Sequence, residues 1–238
     1  MHEFISGFGI LVSYFALCAS FALVIKKILK PPLEVFRKKL HLILLGSIFI
    51  FVYAFNTWWI SVLSSLVFML VVFPILVFFE RFPTYSALLT ERKKGEIKAS
   101  LIVVFSMFSF MISLCWGLFG KKYLVIASVL AWGLGDAAAA LVGTYFGKHH
   151  LEGKLIEGKK SIEGSMAMFT VSGLSVLIVL LANNASQWFY ALVIATLTAT
   201  VASVVELYTK NGMDTLTCPL AAATVMLPLV ELWGGLVR

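Results

Sequence analysis

Asp136 is a carboxylate set inside an apolar run, and it is one of two aspartates in the 238-residue chain, the other being Asp214. A charged group at lipid depth is costly, which marks it as a functional candidate. Read as a helix, Gly135, Ala139, Gly143 and Gly147 fall four apart on one face beside it, so another helix or a ligand can approach that backbone closely. Beyond Gly147 come Lys148, Lys154, Lys159 and Lys160, interleaved with Gly153, Gly158 and Gly164. Such a composition suits backbone amides and ammonium groups wrapped around phosphates. The run Gly158-Lys159-Lys160-Ser161-Ile162-Glu163-Gly164-Ser165 ends where an apolar segment begins, and a helix start there aims free amides and a positive dipole end at an anion. The plainer alternative is a basic loop that only holds topology. Taken together, these residues point to a metal and phosphate site at a membrane surface.

Further along, Glu206 stands in an otherwise apolar segment and Asp214 at the entry to the next one. Asp136, Glu206 and Asp214 are hard oxygen ligands of the kind Mg²⁺ prefers, commonly one or two carboxylates completed by substrate phosphates. Asp214 also reads as a helix N-cap, with Pro219 tolerated soon after it. Near the start of the chain, Arg37 and His41 are four apart and share a helix face. They read either as a basic anchor with an interfacial histidine or as a phosphate contact and a ligand or proton carrier. Gly95-Glu96 is a weaker candidate of the same sort. Cys18, Cys115 and Cys218 fall in three separate apolar segments without CxxC spacing, and read as small apolar fillers.

The elements that must position these groups are membrane helices. Hydrophobic residues make up 61% of the chain and charged ones 13%, with a mean hydropathy of +0.98, far outside the range of soluble domains. A span takes about 20 apolar residues, and eight are expected, roughly 5–25, 40–55, 58–79, 98–118, 123–146, 165–182, 187–207 and 215–233. The fold expected is an all-α polytopic bundle, a single integral membrane domain over 1–238. The run from Leu40 to Phe79 is too long for one span and is broken only at Asn56 and Thr57. Lysine and arginine divide 16 against 3 between the two sides of this topology, which places the N- and C-termini outside and the basic loops in the cytoplasm. The formal charge of +7 therefore belongs to one face, where anionic headgroups and nucleotide phosphates are better partners than nucleic acid. The first segment lacks a basic n-region and reads as a retained span. The expected location is the cell membrane, multi-pass, with the site facing the cytoplasm.

The order of motifs resembles a known family. Arg37-Lys38-Lys39-Leu40-His41, then Lys94-Gly95-Glu96, Gly135-Asp136 with Gly143 and Gly147, Lys159-Lys160-Ser161-Ile162-Glu163-Gly164-Ser165, and Glu206 followed by Asp214 and Pro219 are similar to the CTP-dependent polyprenol kinases. These include dolichol kinase, phytol kinase and the CTP-dependent diacylglycerol kinase. The resemblance covers about 37–220 and is most specific in its central glycine-aspartate and Lys-Lys-Ser-x-Glu-Gly-Ser pair. It implies transfer of the γ-phosphate of CTP to the hydroxyl of a membrane lipid alcohol with Mg²⁺. It also implies Asp136, Lys160 and Glu163 as catalytic groups, and Arg37, His41, Lys148, Lys159, Lys160, Ser161 and Gly164 as nucleotide contacts. Asp136, Glu206 and Asp214 become metal ligands. Two positions depart from the pattern: Thr215 follows Asp214 where the family has asparagine, and alanines fill 137–140 where a further acidic residue is usual, which implies a leaner metal site.

Two other readings compete. A phosphatidate cytidylyltransferase resembling CDP-diacylglycerol synthase shares a Lys-Lys-x-x-Glu-Gly loop, but its Lys-Asp and Asp-Arg signature pairs are absent from this sequence. An ion-coupled transporter using Asp136 and Glu206 requires a polar path to the outer side. The outer halves of the last four expected spans hold no charged residue except Glu231.

Overall fold

The computed structural model describes residues 1–29, 31–81, 95–151, 153, 156, 160–210 and 212–234. The chain divides into two compact units, Met1–Ser113 and Leu114–Arg238. Eight long helices account for most of the described residues. Seven of them are long and apolar enough to cross a membrane. The exception is α2, Leu33–Tyr53, whose first turns carry Arg37, Lys38 and Lys39 and so shorten its apolar part.

In the first unit, α1 (His2–Leu29), α2 (Leu33–Tyr53), α3 (Trp58–Phe79) and α4 (Glu96–Met111) pack around aromatic rings. Phe15 stacks on Phe68 at 4.7 Å and Phe68 on Phe105 at 5.1 Å, while Phe51 meets Phe105 edge-on at 6.0 Å. Such pairs add to burial through the geometry of their ring quadrupoles. Polar contacts between helices include Ser61 Oγ donating to Phe51 O at 2.7 Å, Ser65 Oγ to Phe105 O at 3.1 Å and Tyr14 Oη to Ile43 O at 2.8 Å. The expected break at Asn56 and Thr57 is present, and its cause lies far away in sequence. Glu3 accepts from the Asn56 and Thr57 amides at 2.7 and 2.9 Å and from Thr57 Oγ1 at 3.1 Å, satisfying donors that open α3. Met107, Phe108 and Met111 of α4 are fully buried, whereas Phe110 is exposed. A π-helical stretch, Ile112–Leu118, follows α4.

The second unit is a four-helix bundle of α5 (Lys122–Phe146), α6 (Ile162–Ala182), α7 (Trp188–Tyr208) and α8 (Asp214–Gly234). α5 packs on α6 and α8, and α7 also packs on α6 and α8, which closes the bundle. At one end Lys121 pairs with Glu231 at 2.9 Å and Tyr190 stacks on Trp233. At the other end a two-stranded antiparallel hairpin joins α5 to α6, with β1 at His150–Leu151 and β2 at Lys160–Ser161.

The small-residue face of α5 is mostly filled by α6. A Cβ on Gly135 would collide with Ser172 Oγ and stand 3.1 Å from Met168 Cγ, and one on Gly164 would stand 3.0 Å from Ala139 O. Ser172 Oγ donates to Ala131 O at 2.5 Å in the buried seam, an interhelical bond of about 0.6–1.7 kcal/mol in a membrane. Ser172 Oγ is only two bonds from its own Cα and is held by that acceptor, so it has little room to yield to a larger neighbour. Gly135→Val is expected to lower the apparent melting temperature in detergent by roughly 2–10 °C, through overpacking of about 1–3 kcal/mol. An unchanged melting curve would mean that the seam is looser than described.

Candidate functional site

The site lies where α5 runs out and the chain turns back into α6. α5 ends at Phe146, and Gly147 must be glycine: an added Cβ would meet Gly143 O and lie 2.9 Å from Ser161 Oγ. The next residues enter the hairpin in the register His150 to Ser161 and Leu151 to Lys160. Ser161 then caps α6, its Oγ accepting from the Gly164 amide at 3.1 Å. The Ile162 amide donates to His149 O at 3.0 Å. The expectation of free amides aimed at an anion is therefore corrected for these two donors, because the cap and the hairpin already satisfy them. Anion recognition at this end falls to side chains.

A cavity of about 480 Å³ opens here. One wall is the α5 face of Asp136, Ala139, Ala140, Gly143, Thr144 and Gly147, residues three, four or seven apart and hence stacked along one side of the helix. Facing it are the hairpin and the start of α6, through His150, Lys160, Ser161, Gly164 and Ser165, together with Glu206 near the end of α7. The geometry thus brings together Asp136, Lys160, Ser161, Gly164 and Glu206 from the sequence reading.

Lys160 is fixed from three sides. Its Nζ lies 2.9 Å from Glu206 Oε1, donates to Glu206 O, and reaches Leu207 O at 3.3 Å. Those carbonyls end α7, where the helix dipole favours a cation. The two side chains retain 20% and 13% exposure, so the pair is largely withdrawn from water and losing one partner is costly. Lys160 serves α7 as a C-terminal clamp and Glu206 as its counter-ion.

Asp136 and Asp214 both act electrostatically on Glu206, so the three carboxylates form one acidic neighbourhood. Their settings differ. Asp214 begins α8 and accepts from Trp132 Nε1 at 3.3 Å, outside the cavity wall. Among the described residues no three His, Cys, Asp or Glu side chains are grouped to hold a metal ion by themselves. The carboxylates on the wall that could contribute to holding a divalent cation are Asp136 and Glu206, with other ligands needed to complete its shell.

The remaining sequence candidates are dispersed. Glu163 lies in the first turn of α6 and accepts from both the amide and the ring Nδ1 of His149, the latter at 2.7 Å. Lys148 is exposed just after α5. Arg37 and His41 lie on α2 in the first unit, where Arg37 pairs with Glu96 at 3.7 Å. Gly95, next to that glutamate, has a left-handed backbone at φ 83°. Lys94, Lys154, Gly158 and Lys159 fall outside the described residues. All three cysteines are free thiols, with Cys115 and Cys218 buried as fillers. Sequence reasoning missed His150 and Thr144. Thr144 was findable, since it falls eight residues after Asp136 on the same helix face. The two-residue strand that aims His150 leaves no periodic signal.

The chain is thus a polytopic helical protein with carboxylates and a clamped lysine at a glycine-lined cavity. Over 107 residues, 45% of the chain, it is 35% identical to the phytol kinase of Synechocystis sp. (strain ATCC 27184 / PCC 6803 / Kazusa). This supports a relationship to the polyprenol and phytol kinases. The match covers 44% of that relative, so the chain spans less than half of its length. No family profile matches the chain, and no solved structure does.

Lys160→Met strands the Glu206 carboxylate, and is expected to cost roughly 1–3 kcal/mol, a discounted value for a pair that keeps some solvent contact. Adding Glu206→Gln to it should recover part of that loss. Thermal unfolding of the single and double variants checks this, and additive losses would show that the pair does not act as a unit.

Proposed function

We propose that this chain is a membrane lipid-alcohol kinase that transfers the γ-phosphate of CTP to the hydroxyl of an isoprenoid alcohol such as phytol or a polyprenol. The reading is carried by one observation: Asp136 and the Lys160–Glu206 pair line a single cavity together with the small residues Ala139, Ala140, Gly143, Gly147 and Gly164. The similarity to a phytol kinase supports the same class. The motif order supports CTP as the donor. The distribution of lysine and arginine supports a reaction at the cytoplasmic face of the cell membrane.

In the proposed reaction the lipid hydroxyl oxygen attacks the γ-phosphorus. The bond from that phosphorus to the bridging oxygen of CDP breaks, CDP leaves, and the hydroxyl proton passes to Asp136. Phosphoryl transfer asks the protein mainly for positioning and charge neutralisation. The Ala139, Ala140 and Gly143 wall lets the alcohol approach Asp136 closely. The Lys160 clamp holds Glu206 beside the same space. Bound Mg²⁺ would neutralise phosphate charge, with Asp136 and Glu206 as its protein ligands and Asp214 behind them. Glu163 supports the hairpin through His149.

The test is an assay in detergent with Mg²⁺ and γ-labelled CTP, ATP, GTP or UTP, offering phytol, a polyprenol or diacylglycerol. Phosphatidate with α-labelled CTP forms a further arm. Label passing from the γ-position of CTP to an isoprenoid alcohol is the expected result. Incorporation only from the α-position would replace the kinase with a cytidylyltransferase. Asp136→Asn is expected to lower turnover by at least about 10²-fold, the scale of a lost general base; near-normal turnover would remove Asp136 from the chemistry.

A further inference from the structure

Among the described residues that line the cavity, five side chains can donate a hydrogen bond: Thr144, His150, Lys160, Ser161 and Ser165. The strongest is already engaged. An ammonium has three N–H donors, and those of Lys160 have three acceptors in Glu206 Oε1, Glu206 O and Leu207 O. A polyphosphate arriving here meets a cation whose charge is offset by Glu206 and whose donors are taken. Of the five, His150 is the other nitrogen donor.

The placement of His150 is built into the backbone. β1 begins at His150, and His149 just before it turns the other way. His149 turns to Glu163, with its ring Nδ1 at 2.7 Å and its amide 3.3 Å from both carboxylate oxygens. His150 lies opposite Ser161 in the hairpin and faces the cavity. The Ile162 amide to His149 O bond, 3.0 Å, holds the hairpin to the first turn of α6. The imidazole is therefore carried on β1, one strand across from the residue that caps α6.

We propose that His150 contacts the polyphosphate of the nucleotide, donating an imidazole N–H to a phosphate oxygen, while Lys160 acts as a positioning residue behind it. This rests on the kinase reading for the identity of the phosphate. It assigns the hairpin, rather than the α6 N-terminus, as the phosphate-binding element of the described site. A hydrogen bond to a charged acceptor is among the stronger kind, so its loss is read mainly in nucleotide affinity.

The experiment compares the full-length wild type with His150→Ala and His150→Gln, the latter retaining an N–H donor. For His150→Ala the KM for the nucleotide should rise about tenfold or more, with the KM for the lipid alcohol within about twofold and the melting temperature unchanged. His150→Gln should recover part of the nucleotide KM, and it carries the test if the alanine variant does not fold. A nucleotide KM within about twofold of wild type in folded variants overturns the proposal. Thermal stabilisation by inorganic triphosphate is measured alongside. If the wild type transfers no phosphate, the kinase reading fails by itself. The His150 contact then stands if triphosphate stabilises the wild type and not the variants, and falls if it stabilises all of them or none.

Discussion

The second unit depends on how closely α5 and α6 approach. Two helices in a membrane gain little from the hydrophobic effect, because lipid is as apolar as leucine, so their association rests on packing and interhelical hydrogen bonds. Gly135 and Gly164 leave their neighbours no room for a Cβ, and Ser172 bridges to Ala131 O. The same approach sets Ser161 against Gly143 and Gly147. It thereby fixes where the hairpin leaves α5 and where α6 starts. Past the closest contact the stripe continues as a wall of the cavity, so one run of small residues first packs a helix and then lines an open space.

Charge is handled locally at each helix end. The Lys160 ammonium sits on the terminal carbonyls of α7 and on Glu206. Trp132 gives its indole N–H to Asp214 across the α5–α8 contact. In the first unit Glu3 takes the donors that open α3, and Lys98 pairs with Glu80. Each pairing answers the cost of leaving a polar group without a partner where water is scarce. Asp136 and Glu206 both line the cavity between these helix ends.

The helices were legible because hydropathy is a one-dimensional signal: α3 was expected at 58–79 and runs Trp58–Phe79, and α5 was expected at 123–146 and runs Lys122–Phe146. The break at Asn56 was legible, but its carboxylate cap was not, since Glu3 lies 53 residues away. The small-residue face of α5 announced a close approach without saying whether a helix or a ligand made it. Asp136 and Lys160 were both singled out in sequence. That Lys160 grips the carbonyl end of α7 depends on a contact 46 residues distant, which no local spacing encodes. The division into two units left a mark in composition that sequence reasoning missed: 16 of the 20 phenylalanines fall in the first unit.

The two-residue strands place unequal constraints on chain length at their two sides. The residues joining β1 to β2 lie outside the register, and closing a somewhat longer or shorter connection changes the entropy by only a fraction of a kcal/mol. The segment from Gly147 to His149 has no such latitude. One residue more or less there would move His150 out of its place opposite Ser161. Insertions and deletions among related chains should accordingly gather between Leu151 and Lys160 and avoid the short arm that precedes them.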